Sequence, residues 1–315
     1  MADAQTNAAR IGFLLEPTYG STVALAAALK TLRFSDESIA HHKNAAWSAE
    51  INSNGDRVLV QDMSKSAAGS FTSELSFTDF EQWLRAGIRA GAGVVTGGIT
   101  AYTNSIVQSS FYLEKQLTDI ANGFLGFYGM TISEFSLALA ANNLAKITVG
   151  FSGKKGTKEA ATRGISAIVA PAQDPGMRSG GDVASLLLGG AAFPCAVQSL
   201  NLSATLNVRP KTELSSDSPT EQHGGTFDLS GTMKCYFPST ALYEDYLNHT
   251  ARALSFSIAN SAGRFGINLP SIQITNATAP IGGVNQDVMS DITFLASRGD
   301  VTKPYTMELE VEPAV

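Results

Sequence analysis

Four histidines, two cysteines and a scatter of carboxylates are the side chains of this 315-residue sequence with chemistry to offer. His41, His42, His223 and His249 stand at no Cys/His spacing that would hold zinc, and His41-His42 precede a loop, which predicts a solvated pair. Asp36-Glu37, Glu308, Glu310 and Glu312 are scattered, with no pair at a spacing for acid–base work. "GAGVVTG" (91–97) lacks the third glycine of a dinucleotide loop. "GFSGKKG" (150–156) has no Ser or Thr after Lys154, as a phosphate loop requires. Lys154 also stands where a Gly-x-Ser-x-Gly elbow needs glycine. "RGD" at 298–300 reads as a turn at a strand end. No catalytic residue, metal or cofactor is expected, and the chain reads as non-enzymatic.

Composition points elsewhere. Hydrophobic residues make up 44% of the chain and charged residues 16%, below the quarter or so usual for soluble domains. Either much of the surface is hidden in an assembly, or it is rich in Ser, Thr and Asn instead of charge. The net charge of −6 argues against a protein that grips nucleic acid by its backbone, but not against a surface over which nucleic acid slides. Cys195 and Cys235 are expected to be free thiols in a reducing cytoplasm, so Asn201, Asn248 and Asn276 are coincidental glycosylation matches. The first twenty residues do not read as a secretory signal, and no run approaches the roughly 18 apolar residues of a membrane span.

The elements that would position any site read mainly as strands. "AWSAEINSNGDRVLVQDM" (46–63) carries Asn54-Gly55-Asp56 between extended runs, a hairpin signal. "GSFTSELSF" (69–77) alternates, and Thr78 with Glu81 predicts a capping box for a helix over 79–89 whose apolar face is Phe80, Trp83, Leu84 and Ile88. "GTFDLSGTMKCYF" (225–237) repeats that grammar. Ser239 or Thr240 is expected to cap a second helix over 240–249 with Leu242, Tyr243, Tyr246 and Leu247 inward. "TVALAAALK" (22–30) reads as part of a strand or a lead-in.

Five segments match in order between the halves: "LRFSDESI" with "LNLSATLN", the two runs just described, "SSFYLEKQL" with "ARALSFSIA", "MTISEFSLAL" with "FGINLPSIQI", and "ITVGFSGKKG" with "ITFLASRGD". The chain therefore reads as a mainly β protein of two similar antiparallel sandwich-like or barrel-like domains, each with one short α-helix. The expected boundaries are an arm at 1–20, a first domain at 21–155, a linker or small insertion at 156–194 and a second domain at 195–315.

These residues resemble a known family. "LRFSDESIAHHK", the "FEQWLRAGI" helix, "SSFYLEKQLTDI", "FYGMTISEFSLALAANNLAKITVGFSGKK", "FPCAVQSLNLSATLNV", "LYEDYLN" and "INLPSIQITNATAPIGGVNQDVMSDITFLA" are similar to the major tail tube proteins of long-tailed bacteriophages. The likeness runs over roughly 20–300 and is poor at 160–192. It implies a structural virion protein, made in the bacterial host cytoplasm, that forms stacked rings around a lumen through which double-stranded DNA passes. The partners implied are further copies of the chain, a tape measure protein, and tail terminator and tip proteins, with no membrane. Single-domain members form sixfold rings. A doubled domain implies three chains per ring, or six with one domain inside and one outside. A β-rich surface protein, an adhesin or a capsid-decorating protein is the alternative.

Long polar loops at 42–57 and 209–225, together with the N-terminal arm, are the expected ring-stacking or inter-subunit surfaces, with Trp47, Asn54, Asp56, Arg209, Asp217 and Glu221 as candidate contact residues.

Overall fold

The computed structural model describes residues 5–21, 28–164, 167–237, 239–281 and 283–314. Of the segment read as strand or lead-in at 22–30, residues 22–27 lie outside these. The first part of the chain forms β1 (Ala9–Leu15), β2 (Ala28–Leu32), β3 (Asp36–Glu37), β4 (Ala40–Trp47), β5 (Val60–Glu74), α1 (Phe77–Gly87), β6 (Val94–Thr96), β7 (Ile99–Thr103), β8 (Ser110–Leu117), β9 (Phe124–Ala140), β10 (Lys146–Gly153), β11 (Lys155–Glu159) and β12 (Ala167–Val169). The second part forms β13 (Val183–Leu188), β14 (Ala191–Ala192), β15 (Val197–Thr205), β16 (Arg209–Lys211), β17 (Glu221–His223), β18 (Asp228–Tyr236), α2 (Ala241–Leu247), β19 (Ala251–Asn260), β20 (Gly263–Thr278), β21 (Met289–Ser297) and β22 (Glu308–Pro313).

The pairing order is the same in both parts. One runs β2-β1-β8-β9-β10-β5, with β3 and β4 on the outer side of β5. The other runs β14-β13-β19-β20-β21-β18-β15. Each helix follows the strand next to the outermost one. The protein is thus mainly β, with two similar antiparallel units. The strand sequences explain why: in β18, Leu229, Gly231, Met233 and Cys235 are buried and the residues between them face out, the period-two pattern of a half-buried sheet. The first twenty residues, expected as an arm, contain β1, and 156–194, expected as a linker or insertion, contains strands of which β13 lies on β19.

The two units are fused along an edge. The second half of β9 pairs with β10 on one side and with β15 on the other, from Ser199↔Ala140 to Thr205↔Glu134. A single sheet results, eight strands across: β3, β5, β10, β9, β15, β18, β21, β20. The first halves of β9 and β20 instead carry β11 and β22, so each long strand serves two layers. One apolar core runs through both units.

Equivalent positions fill the core by opposite means. In the first unit Phe71 on β5 faces Val149 on β10. In the second, Gly231 on β18 faces Phe294 on β21, and a Cβ at 231 would lie 2.1 Å from the Phe294 ring. The ring comes from one strand in one unit and from its neighbour in the other.

α1 is amphipathic as its spacing predicts, with Phe80, Trp83 and Leu84 buried on one face and Ile88 buried just beyond its end. Trp83 packs among Phe13, Phe71, Phe111 and Phe151 at ring distances of 4.8, 5.2, 4.6 and 5.8 Å. The expected capping box is not formed. The helix begins two residues earlier, with Ser76 at the N-cap. The Thr78 N–H instead donates to Asp174 (3.1 Å), and Glu81 accepts from Tyr102 and pairs with Arg85. A carboxylate from a distant loop does what the local box was expected to do.

α2 departs further. Of the four side chains expected inward, Leu242 is buried and Tyr246 half-buried, while Tyr243 and Leu247 are exposed. Seven residues make two turns, enough for one short apolar stripe. Asp245 is buried instead, held by the Arg252 guanidinium. The glycine-rich stretch at 90–100, which lacks the pattern of a dinucleotide loop, carries the β6–β7 hairpin. The scattered carboxylates Glu308, Glu310 and Glu312 alternate along β22, where Arg264 and Asn268 on β20 meet them.

Candidate assembly surfaces

The outward face of the eight-stranded sheet is a continuous polar surface. One row of neighbours crosses all eight strands: Asp36, Thr72, Thr148, Ser136, Ser203, Ser230, Leu295 and Gln273. The next row holds Glu74, Lys146, Ala138, Asn201, Thr232, Thr293 and Asn276. Hydroxyls dominate, and several bond across strands: Ser38 with Ser70 at 3.2 Å, Thr72 with Thr148 at 2.9 Å, Ser271 with Ser297 at 3.0 Å. Charges on this face are sparse. Lys146 stands opposite Glu74 and Lys234 opposite Asp291, which leaves Asp36, Glu134 and Asp228 unbalanced. Hydroxyls keep such a face wetted at neutral charge, and the surplus carboxylates give it a weak negative potential.

Both ends of this sheet are open. Beyond β3, and beyond the Ile274–Thr278 stretch of β20, no strand pairs among the described residues. Open edges are templates for another chain.

The third surface is the β4–β5 hairpin, which reaches away from the core with its outer residues exposed. Its far end carries Trp47 (64% exposed), Ile51 (100%), Val58, Leu59, Val60 and Met63. A cluster of large exposed apolar side chains on one hairpin marks a contact surface. Its base is tied to the β16–β17 loop: the Lys65 N–H donates to the Asp217 carbonyl (2.7 Å), and the Lys65 ammonium pairs with the Asp217 carboxylate. That hydrogen bond holds the Asp217 carboxyl below its ordinary range and Lys65 above its own. Across the hairpin, Lys43 does the same to Asp62 at 2.6 Å.

The sequence-predicted residues fall on these two loops. Trp47 ends β4 opposite Val60. Asn54 accepts from the Asp56 N–H at the hairpin tip (3.2 Å). Arg209 opens β16 opposite His223, and Glu221 lies 3.5 Å from Lys211 and 3.7 Å from His223. The two groups of residues belong to different loops, joined at Lys65–Asp217. Sequence reading missed Lys65, the apolar hairpin end and the hydroxyl face. The last had a signal: the non-core positions of successive strands are Ser, Thr and Asn where charge is usual. His41, expected in solvent, is half-buried, and its Nδ1 accepts from the Gly156 N–H (3.1 Å).

No group of three His, Cys, Asp or Glu among the described residues could hold a metal ion. The buried carboxylates are consumed by structure. Glu114 accepts from Tyr112, Thr162 and the Arg163 N–H, and Glu159 from Tyr128, Thr157 and Arg163.

The chain thus combines one long hydroxyl-lined sheet with two open edges and an apolar protruding hairpin. A family model described as phage tail tube protein matches residues 6–296, nearly the whole chain. The chain belongs to that family: it is a structural protein of the bacteriophage virion, located in the tail, of a kind that self-assembles into a tube. Comparison with curated proteins finds no match.

Proposed function

We propose that this chain forms rings of three copies that stack into the hollow tube of the tail, and that the hydroxyl face of its eight-stranded sheet lines the bore through which DNA leaves. The carrying observation is that face with its two open edges. Three copies of eight strands make a barrel of 24, and at a strand spacing of about 4.8 Å and a tilt near 40° its backbone diameter is about 48 Å. Side chains reduce this to roughly 35–40 Å, wider than a hydrated duplex. Six copies would double the backbone diameter and leave the bore too wide to guide DNA. The net acidity of the face keeps the phosphate backbone from sticking.

In this reading the domains 21–155 and 195–315, the first completed by β1 and the second by β13, occupy alternate places around the ring. Stacking uses the β4–β5 hairpin and the β16–β17 loop, with Trp47, Asn54, Asp56, Arg209, Asp217 and Glu221 at or near the contact. No reaction is catalysed. The tape measure protein fills the bore before DNA does, and terminator and tip proteins close the two ends.

Electron microscopy of the purified chain tests the proposal. Hollow tubes whose cross-section has threefold chain symmetry are expected. Six equivalent chains per ring refute the ring count, and monomers or solid fibres refute the tube. Deleting 212–222 should leave folded subunits that form no long tubes.

A further inference from the structure

The β9–β15 junction inside the chain is a template for a junction between chains. On β15, Gln198 accepts from the Ala141 N–H and the Leu206 N–H donates to Ser133, so its even-numbered residues, Ala204 among them, bond toward β9. The repeated pairing maps one unit onto the other. Leu202 faces Gly231 as Glu37 faces Phe71. Gly231 and Phe71 hold the same place because Phe294 and Val149 oppose them. Ser38 then corresponds to Ser203, and Ile39 to Ala204. On the other edge, Ile274 and Phe135 oppose Phe294 and Val149, and Asn276 and Ser136 oppose Thr293 and Thr148. Transferring the internal register sets Ile39 of one copy against Ile274 of the next, and Ser38 against Asn276.

The open edge at Ile39 is not bare. The Ser38 N–H donates to Ser70 on β5, so the N–H and C=O of Ile39 point the other way, out of the sheet edge. The Ile39 N–H donates to a Glu37 carboxylate oxygen (3.0 Å), the Lys115 ammonium donates to the Ile39 carbonyl (3.1 Å), and Glu37 and Lys115 pair at 2.7 Å. At the corresponding place on β15 these two backbone groups belong to the ladder with β9. The opposite edge, Ile274–Thr278, runs into a loop with Ile281 and Val284 exposed at 88% and 91%.

We propose that Glu37 and Lys115 form an edge guard. In the free subunit they occupy the backbone groups of Ile39 that, in a ring, are taken by the Ile274–Thr278 edge of a second copy. The inference rests on the tube reading and names the contact that closes the ring. Charges placed against an edge are a known means of preventing premature strand addition. Here the guard is released by the right partner, because the incoming strand supplies both a carbonyl and an N–H in register.

The test uses a chain with Cys195→Ser and Cys235→Ala, carrying Ser38→Cys and Asn276→Cys. Directly opposed residues bring Cβ atoms within reach of a disulfide. Ser136→Cys with Ser203→Cys in the same background is the internal control, since that pair is opposed within the chain. Assembled material is treated with diamide, which takes the two electrons and two protons as each disulfide forms, and is run on non-reducing gels beside micrographs. The expected result is an inter-chain ladder ending at a covalent trimer. Tubes on the micrographs, a closed control bond and free thiols at 38 and 276 would overturn the register while leaving the tube reading intact. Absence of rings or tubes from wild-type chain overturns that reading and this one with it. For the guard, Glu37→Ala should shorten the lag of tube growth several-fold at equal concentration. An unchanged or longer lag with normal tubes removes the guarding role.

Discussion

The core swap between units gives a quantitative test. Gly231→Ala adds a Cβ that would sit 2.1, 2.6 and 2.7 Å from three atoms of the Phe294 ring, and that ring is fully buried. Overpacking of this kind costs about 1–3 kcal/mol, and loss of glycine freedom in the unfolded chain offsets roughly 0.4–1. A net loss of about 1–2 kcal/mol is expected. Phe294→Val empties part of the ring's space and should cost about 2–3 kcal/mol, less than the 3–5 typical of Phe→Ala. In the double variant the smaller residue at 294 removes the clash, as Val149 leaves room for Phe71 in the other unit. Its cost should fall at least about 1 kcal/mol short of the sum of the singles, well outside the 0.3–0.5 within which independent sites add. Denaturant melts of dilute, unassembled subunit measure all four proteins. Additivity within about 0.5 kcal/mol would refute the claim that these positions share one volume.

Trp83→Ala, in the aromatic cluster, should cost about 3–5 kcal/mol and be seen as loss of soluble subunit; Trp47→Ala should leave the melting temperature unchanged and shorten the tubes in micrographs. Asp182, Asp217 and Asp62 have carboxyls held below their ordinary range by Arg178, Lys65 and Lys43. Their contribution is present above the unfolded value near 3.9 and is lost as pH falls through the folded value, so subunit melting should be flat in this respect from pH 5 to 8 and decline below about 4. A decline already at pH 6 would contradict this. The Cys195 thiol is pushed up by its hydrogen bond to Cys235 and by burial, so iodoacetamide should label it far more slowly than a free thiol at pH 8, as mass spectrometry of timed samples would show.

The local rules were sufficient for most elements. Period-two burial in 69–75, 197–205 and 228–236, the Asn54-Gly55-Asp56 turn, and the Phe80-Trp83-Leu84 face of α1 are each set by residues a few positions apart, and the chain follows them. The ordered likeness of the halves was legible for the same reason, because equivalent strands keep equivalent patterns even where Phe71 and Gly231 differ in size. What lay beyond the sequence are the long-range choices. Asp174 reaches back 96 residues to the start of α1, and no local box could reveal it. β22 alternates Leu309 and Val311 with Glu308, Glu310 and Glu312, but nothing local says that β20 and β7 flank it. Tyr243 and Leu247 are exposed because α2 is too short to present a wider stripe. Above all, the fusion of β9 to β15 joins two small sheets into one. Alternation decides which face of a strand is buried, but it cannot say which strand lies alongside; that depends on backbone groups that every residue carries alike, and only the folded chain selects their partners.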